Sequence, residues 1–127
     1  PEYICDFSHI LLSIYIMNPC EFFKCLADDT RLNCLLLIAE ADESCVCDLM
    51  SALDLDQPKI SRHLAQLREC EVLLNERRGK WVFYKLHPAL PSWARDVVVE
   101  AAAHNPDYIK RALKKLTASQ TAITRCA

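Results

Sequence analysis

Ser44 to Arg68 reads SCVCDLMSALDLDQPKISRHLAQLR, and the fold turns on how this stretch divides. Leu53-Asp54-Leu55-Asp56 is a turn between two helical patterns. Pro58 suits the first position of the second helix, where no backbone N–H is missed. Ile60, Leu64 and Leu67 then recur at i, i+4 and i+7 and face a core. Lys59, Arg62, His63 and Gln66 are left on the outer side, with Gln57 and Ser61 near the leading end. The first helix turns Leu49, Ala52 and Leu53 inward. Its start allows two readings: Ser44 caps it with both cysteines in the first turn, or Cys47 takes the cap after a short extended stretch. The second is preferred, because Asp48 then meets the positive end of the helix.

Working upstream, an acidic loop over 40–43 precedes this pair. From Pro19 the pattern is helical, with Phe22, Phe23 and Leu26 on one face. Asp28 or Asp29 caps a further helix whose buried side includes Leu32, Leu35, Leu36 and Ala39. Cys25 and Cys34 lie within these faces and read as small core hydrophobes. Residues 1–16 are apolar without a clear period, and Met17-Asn18-Pro19 makes a plausible start, so 1–16 is expected to be an extension outside the functional domain.

Downstream, Val72–Leu74 and Trp81–Leu86 are short β-prone runs separated by Asn75–Lys80. Gly79, the only glycine, sits where a hairpin turn needs positive φ. The tip is basic through Arg77, Arg78 and Lys80. Trp93–Ala103 then reads as a helix more apolar than a monomer of this size leaves on its surface, and a second helix follows over about Pro106–Leu116. That surplus reads as ordinary core or, the preferred reading, as a dimer interface shared with the first helix. The expected organisation is an extension at 1–16, a DNA-binding and dimerising unit at 17–104, and a C-terminal helix and tail at 105–127.

Composition agrees with one mainly helical domain: 127 residues, 52% of them apolar, with one glycine and six prolines. The net charge of −2 is unevenly spread: residues 1–56 carry −9, 57–87 carry +4 and 88–127 carry +3. A local basic patch matters more than the total, because salt screens each charge beyond about 10 Å. The run Ile10–Met17 is too short to span a bilayer and no basic segment precedes it, so no membrane role and a reducing cytoplasm are expected. There, eight cysteines are buried hydrophobes, metal ligands or redox thiols rather than structural disulfides. Cys5, Cys20, Cys70 and Cys126 read as incidental.

Two helices joined by a tight turn, preceded by a helix pair and followed by a basic hairpin, make a winged helix-turn-helix. Gln57, Lys59, Ser61, Arg62 and His63 would enter the major groove of double-stranded DNA, and Arg77, Arg78 and Lys80 would meet phosphates. The thiols of Cys45 and Cys47 are the candidate ligands for a soft ion. On an extended stretch i and i+2 project to one side, whereas on a regular helix they point apart. Chelation would therefore hold these residues out of helix and disturb the support of the recognition helix.

CEFFKCLADDTRLNCLLLIAE at 20–40, SCVCDL at 44–49, QPKISRHLAQLRE at 57–69 and RGKWVFYKL at 78–86 together resemble the ArsR/SmtB repressors, most closely their arsenic-responsive members. The likeness runs from about Asn18 to Val99. It implies a cytoplasmic, non-enzymatic, homodimeric winged-helix repressor that leaves operator DNA when arsenite, or antimonite, binds Cys45 and Cys47, with no organic cofactor. Two departures stand out. Arsenic-responsive relatives often carry a third cysteine where this chain has Met50, which leaves the third ligand open. The zinc sensors use ligands on the helix corresponding to Trp93–His104, where Asp96, Glu100 and His104 lack the required spacing. Rival readings are a redox- or cadmium/lead-sensing repressor of the same fold, a thiol oxidoreductase, and a pure dimerisation module. The oxidoreductase is disfavoured by the Cys-x-Cys spacing and the absence of a βαβ pattern.

Overall fold

The structure, a computed structural model, describes residues 17–121; the expected extension at 1–16, and Cys5 and Cys126, lie outside the described residues. The element order is α1 (Pro19–Leu26), α2 (Asp29–Ala41), β1 (Ser44–Cys45), α3 (Val46–Leu53), α4 (Gln57–Glu69), β2 (Leu73–Arg78), β3 (Trp81–Leu86), α5 (Ser92–His104) and α6 (Pro106–Thr121). This is the mainly helical winged helix-turn-helix that the hydrophobic periods predict.

Local chemistry sets the starts of α1 and α2. The Asn18 side chain accepts the backbone N–H groups of Cys20 and Glu21 at 2.8 and 3.1 Å, and Pro19 opens α1. Asp28 caps α2 by accepting the Arg31 N–H at 2.9 Å. Helix α3 stops at Asp54, whose φ of 57° is left-handed and breaks the ladder. Helix α4 ends with Glu71 at φ 64° and the Val72 N–H bonded back to the Leu67 carbonyl at 3.0 Å, in the manner of a Schellman stop.

Helix α2 is the axis of the core. Cys34, Leu35, Leu36, Leu37 and Ile38 are buried in succession, because α4, α5, α6 and β3 pack around it on several sides. A helix enclosed in this way needs no amphipathic stripe; Leu32 and Ala39, expected on the buried side, are only half-buried. In α1, Phe22 and Leu26 are buried, whereas Phe23 stays 50% exposed beside Trp93.

The sheet has the order β1-β3-β2 and is antiparallel throughout. The hairpin is longer than the sequence suggests. Strands β2 and β3 pair from Leu73 opposite Leu86 to Arg78 opposite Trp81, so that only Gly79 and Lys80 form the loop. Gly79 has φ +65°, the conformation such two-residue loops reserve for glycine. Ser44 and Cys45 add a third strand, pairing with Tyr84 and Phe83. Helix α6 extends to Thr121, buries Ile109 and Leu116, and lies across α2 and α3. Among the described residues no helix is long and apolar enough to cross a membrane.

Candidate nucleic-acid interface and thiol site

Helix α4 is started by Asp56, whose side chain accepts the Lys59 N–H at 3.0 Å, and Pro58 sits in its first turn. Its outward residues are those expected, with one exception. Gln57 and Arg62 are exposed, Lys59 and Ser61 partly so, and the Gln57 amide donates to the Ser61 hydroxyl at 2.8 Å. Gln66 is exposed but engaged, accepting from the Arg31 guanidinium at 2.8 Å.

His63 is the exception and corrects the expectation of an outward side chain. It is 6% exposed, because Ile60, His63, Leu64 and Leu67 are spaced i, i+3, i+4, i+7 and form one buried stripe. Its Nδ1 lies 3.7 Å from the Asp28 carboxylate and has no hydrogen-bond partner among the described residues. Desolvation pulls the imidazole pKa below its ordinary value against the opposing pull of Asp28. A neutral, enclosed ring cannot present itself to a base pair.

On the wing, Arg77 and Lys80 are exposed; Arg77 donates to the Gly79 carbonyl at 3.4 Å, and Lys80 stands over the Trp81 ring. Arg78, also expected at the DNA surface, is exposed but already engaged by carboxylates. Its guanidinium donates to both Glu43 carboxylate oxygens at 2.9 and 2.6 Å and to Glu76 at 3.1 Å, and lies over the Phe83 ring. The bidentate fork suits a strap between the loop before β1 and the wing. Glu76 is held below its ordinary carboxylate range by that guanidinium.

The thiol segment differs from the preferred sequence reading. Helix α3 begins at Val46 with Cys45 at the N-cap, so Cys47 lies in the first turn and not at the cap. The Cys45 side chain stands over the Asp48 N–H in a capping-box arrangement, with sulfur in place of the usual hydroxyl, while the Asp48 carboxylate accepts the Cys45 N–H at 3.4 Å. The cap residue is also the last residue of β1, which fixes it to the sheet; the extended stretch ends there and the helix follows directly. Cys45 is 3% exposed whereas Cys47 is exposed. The donor types fit a thiophilic ion, but positions i and i+2 across a helix start do not face each other. Ligation by both thiols of one chain requires this first turn to open.

Two residues that the sequence left unremarked, Ser119 and Gln120, complete the site. Asp48 is fully buried, and its carboxylate accepts the Ser119 hydroxyl at 2.9 Å and the Gln120 amide at 3.5 Å. The same amide reaches the Glu43 carbonyl at 2.9 Å and the Ser44 hydroxyl at 3.3 Å. The end of α6 thus grips the start of α3 across more than seventy positions. Only the polar residues at 117–121 on an otherwise amphipathic helix hinted at a partner. Cys25, read as a core hydrophobe, and Cys70, read as incidental, are brought together between α1 and the end of α4. Of the discounted zinc trio, His104 pairs with Glu100 at 2.9 Å on the surface, and among the described residues no three His, Cys, Asp or Glu side chains are gathered to hold a metal ion.

Residues 28–73 match the family model described as bacterial regulatory protein, arsR family. The arsenic resistance transcriptional regulator ArsR1 of Pseudomonas putida is 51% identical over 94 residues, which is 74% of this chain and 73% of that protein. The arsenical resistance operon repressor of Escherichia coli is 49% identical over 98 residues, 77% of this chain and 84% of that protein. Among solved structures, reduced HlyU from Vibrio cholerae superposes with a TM-score of 0.57 at 28% identity, covering 63% of this chain and 80% of that one. With about half of the aligned residues identical across most of the length of two such regulators, and with the winged helix-turn-helix in place, this chain belongs to the arsR family of bacterial transcriptional regulators, which are not enzymes.

Proposed function

We propose that this protein represses transcription by binding operator DNA as a homodimer, through the unit spanning residues 17–104, and that it releases the DNA when a trivalent metalloid, arsenite or antimonite, is taken by Cys45 and Cys47. Gln57, Lys59, Ser61 and Arg62 are the groove-facing set, and Arg77 and Lys80 the phosphate contacts. His63 and Arg78 are left out of this set for the reasons given above. Exposed Phe23, Trp93, Val99 and Tyr108 on α1, α5 and α6 are apolar surface that a second subunit would cover.

One observation carries the reading. Cys45 is at once the N-cap of α3 and the residue that joins β1 to the wing strand β3 at Phe83. Bringing its thiol to the side of Cys47 draws it out of both roles. The Cys45–Asp48 bond and the ladder to β3 are then lost together, and α3, which packs on α4, loses its anchored end. A bound metalloid supplies the thiolate bonds that favour this opened turn; the recognition helix and wing then depart from the spacing that fits one groove. A coupling of about 1–3 kcal/mol changes operator affinity roughly 5–150-fold, enough for derepression.

The test is anisotropy of the DNA preceding the chain's own coding region, titrated in parallel with arsenite, antimonite, cadmium and peroxide. Release by the trivalent metalloids, lost in Cys45→Ser and Cys47→Ser proteins that still bind DNA, is the expected result. Release by peroxide or cadmium alone would overturn it.

A further inference from the structure

Away from Cys45 and Cys47, the fold brings two other thiols together. Cys25 lies in the last turn of α1 and is buried, 6% exposed; Cys70 is the C-cap of α4 and is exposed. One carbonyl ties them: Gln66 O accepts the Cys70 N–H at 3.1 Å and lies 3.8 Å from the Cys25 sulfur. Both cysteines line a cavity of about 230 Å³ together with Lys24, Arg31, Gln66 and Glu69. Arg31 braces the site, donating to the Cys25 carbonyl and to the Gln66 side chain.

We propose that Cys25 and Cys70 form a dithiol modification site, independent of Cys45 and Cys47, which a hydroperoxide converts to a reversible disulfide fastening α1 to the end of the recognition helix.

The roles of the two sulfurs differ. Burial, and then the neighbouring Cys70 thiol, push the Cys25 thiol up to about 12, so it is the protonated member, while exposed Cys70 meets the oxidant. The Cys70 thiolate attacks one peroxide oxygen, the O–O bond breaks, and hydroxide leaves and is protonated to water, giving a sulfenic acid. A neutral sulfenic acid no longer repels charge on Cys25, and the Arg31 guanidinium favours the Cys25 thiolate. Cys25 sulfur then attacks Cys70 sulfur; the S–S bond forms, the S–O bond breaks, and the departing hydroxide leaves with the Cys25 proton as a second water. Two thiols lose two electrons to one peroxide. The closed loop spans the whole of α2, α3 and α4, and cross-links over long loops stabilise most.

The test uses the full chain, reduced and then given stoichiometric hydrogen peroxide, alongside the Cys45→Ser/Cys47→Ser protein. In both, peptide mass mapping is expected to find Cys25 joined to Cys70, with melting raised by about 5 °C or more and restored by dithiothreitol. Cys25→Ser removes a buried group and risks the fold, so Cys70→Ser, at an exposed site, is the decisive variant: it loses the cross-link and the melting shift, whereas Cys20→Ser keeps both. A bridge mapped to another pair, Cys70 driven to sulfinic acid while Cys25 remains a free thiol, or a bridge with unchanged melting would overturn the proposal. No arm involves DNA or metalloid, so the outcome is separate from that of the proposed repressor function.

Discussion

Helices α3 and α4 are neighbours of the same motif, yet they begin in opposite ways. Helix α4 is opened by Asp56, an exposed residue bonded to the N–H three positions on, with Pro58 in the first turn. Everything it needs lies within a few residues. Helix α3 is opened by a buried cysteine shared with a strand, and by a buried carboxylate held by Ser119 and Gln120 from the far end of the chain. A start of the first kind stays formed when the surroundings shift; one of the second kind depends on them. On the proposed function, the rigid start belongs to the helix that enters the groove and the dependent start to the helix that senses.

The largest expected effect bears on that division. Cys47→Ser should reduce arsenite-driven release from the roughly 5–150-fold range to less than about twofold, with operator affinity in the absence of arsenite unchanged, as read by anisotropy. Full release by the variant would break the contrast. Next, Asp48→Ala takes from the part-buried Ser119 hydroxyl its acceptor, from the Gln120 amide one of three, and from the Cys45 N–H its carboxylate, which should cost about 1.5–3 kcal/mol in urea unfolding. Asp56→Ala, at the locally made start, should cost about 1 kcal/mol. Equal losses at the two positions would show that the starts do not differ as described. On the wing, Lys80→Ala should lower the slope of log affinity against log salt by about one unit, whereas Arg78→Ala, occupied by Glu43 and Glu76, should leave it unchanged.

A smaller effect concerns pH. The His63 imidazole is held below its ordinary 6.5 by desolvation, so the folded chain gives up that proton more readily than the unfolded one. Its contribution to stability is complete above about pH 6.5 and is lost as pH falls through the lower, folded value. Asp28 faces it, and is itself held low, chiefly by the Arg31 N–H; that contribution is complete above 3.8 and fades only below it. Arg31, Arg62 and Gln66 also bear on the ring. Urea midpoints should therefore fall between pH 7 and 5.5, with a shallower fall in His63→Gln.

What the linear pattern disclosed follows the same line between local and distant causes. Asp56, Pro58, the Ile60–Leu64–Leu67 stripe and Gly79 act through their own neighbourhoods; the stripe and Gly79 are where the sequence reading put them, while Pro58 falls one place later in its helix because Asp56, read only as part of the turn, takes the cap. His63 was legible too, three residues from Ile60 and four from Leu67, but its polarity outweighed its spacing in that reading. Nothing local could show that Ser44 and Cys45 pair with β3, that Arg78 reaches back to Glu43, or that Gln120 returns to Ser44. These contacts set the cap of α3, and so the reading of that cap went astray. Cys25 and Cys70 meet for the same reason, through the packing of α1 on α4.

Strand β1 is two residues long. Such a strand offers few ladder bonds to break, so on the proposed function it sets the dose at which the circuit responds. Extending its pairing with β3 by favourable residues at 42 and 43 would yield a deafer detector, and weakening Ser44 would yield a leakier one. The sensitivity of a reporter built from this chain is therefore adjustable without touching either a thiol or a base-contacting side chain.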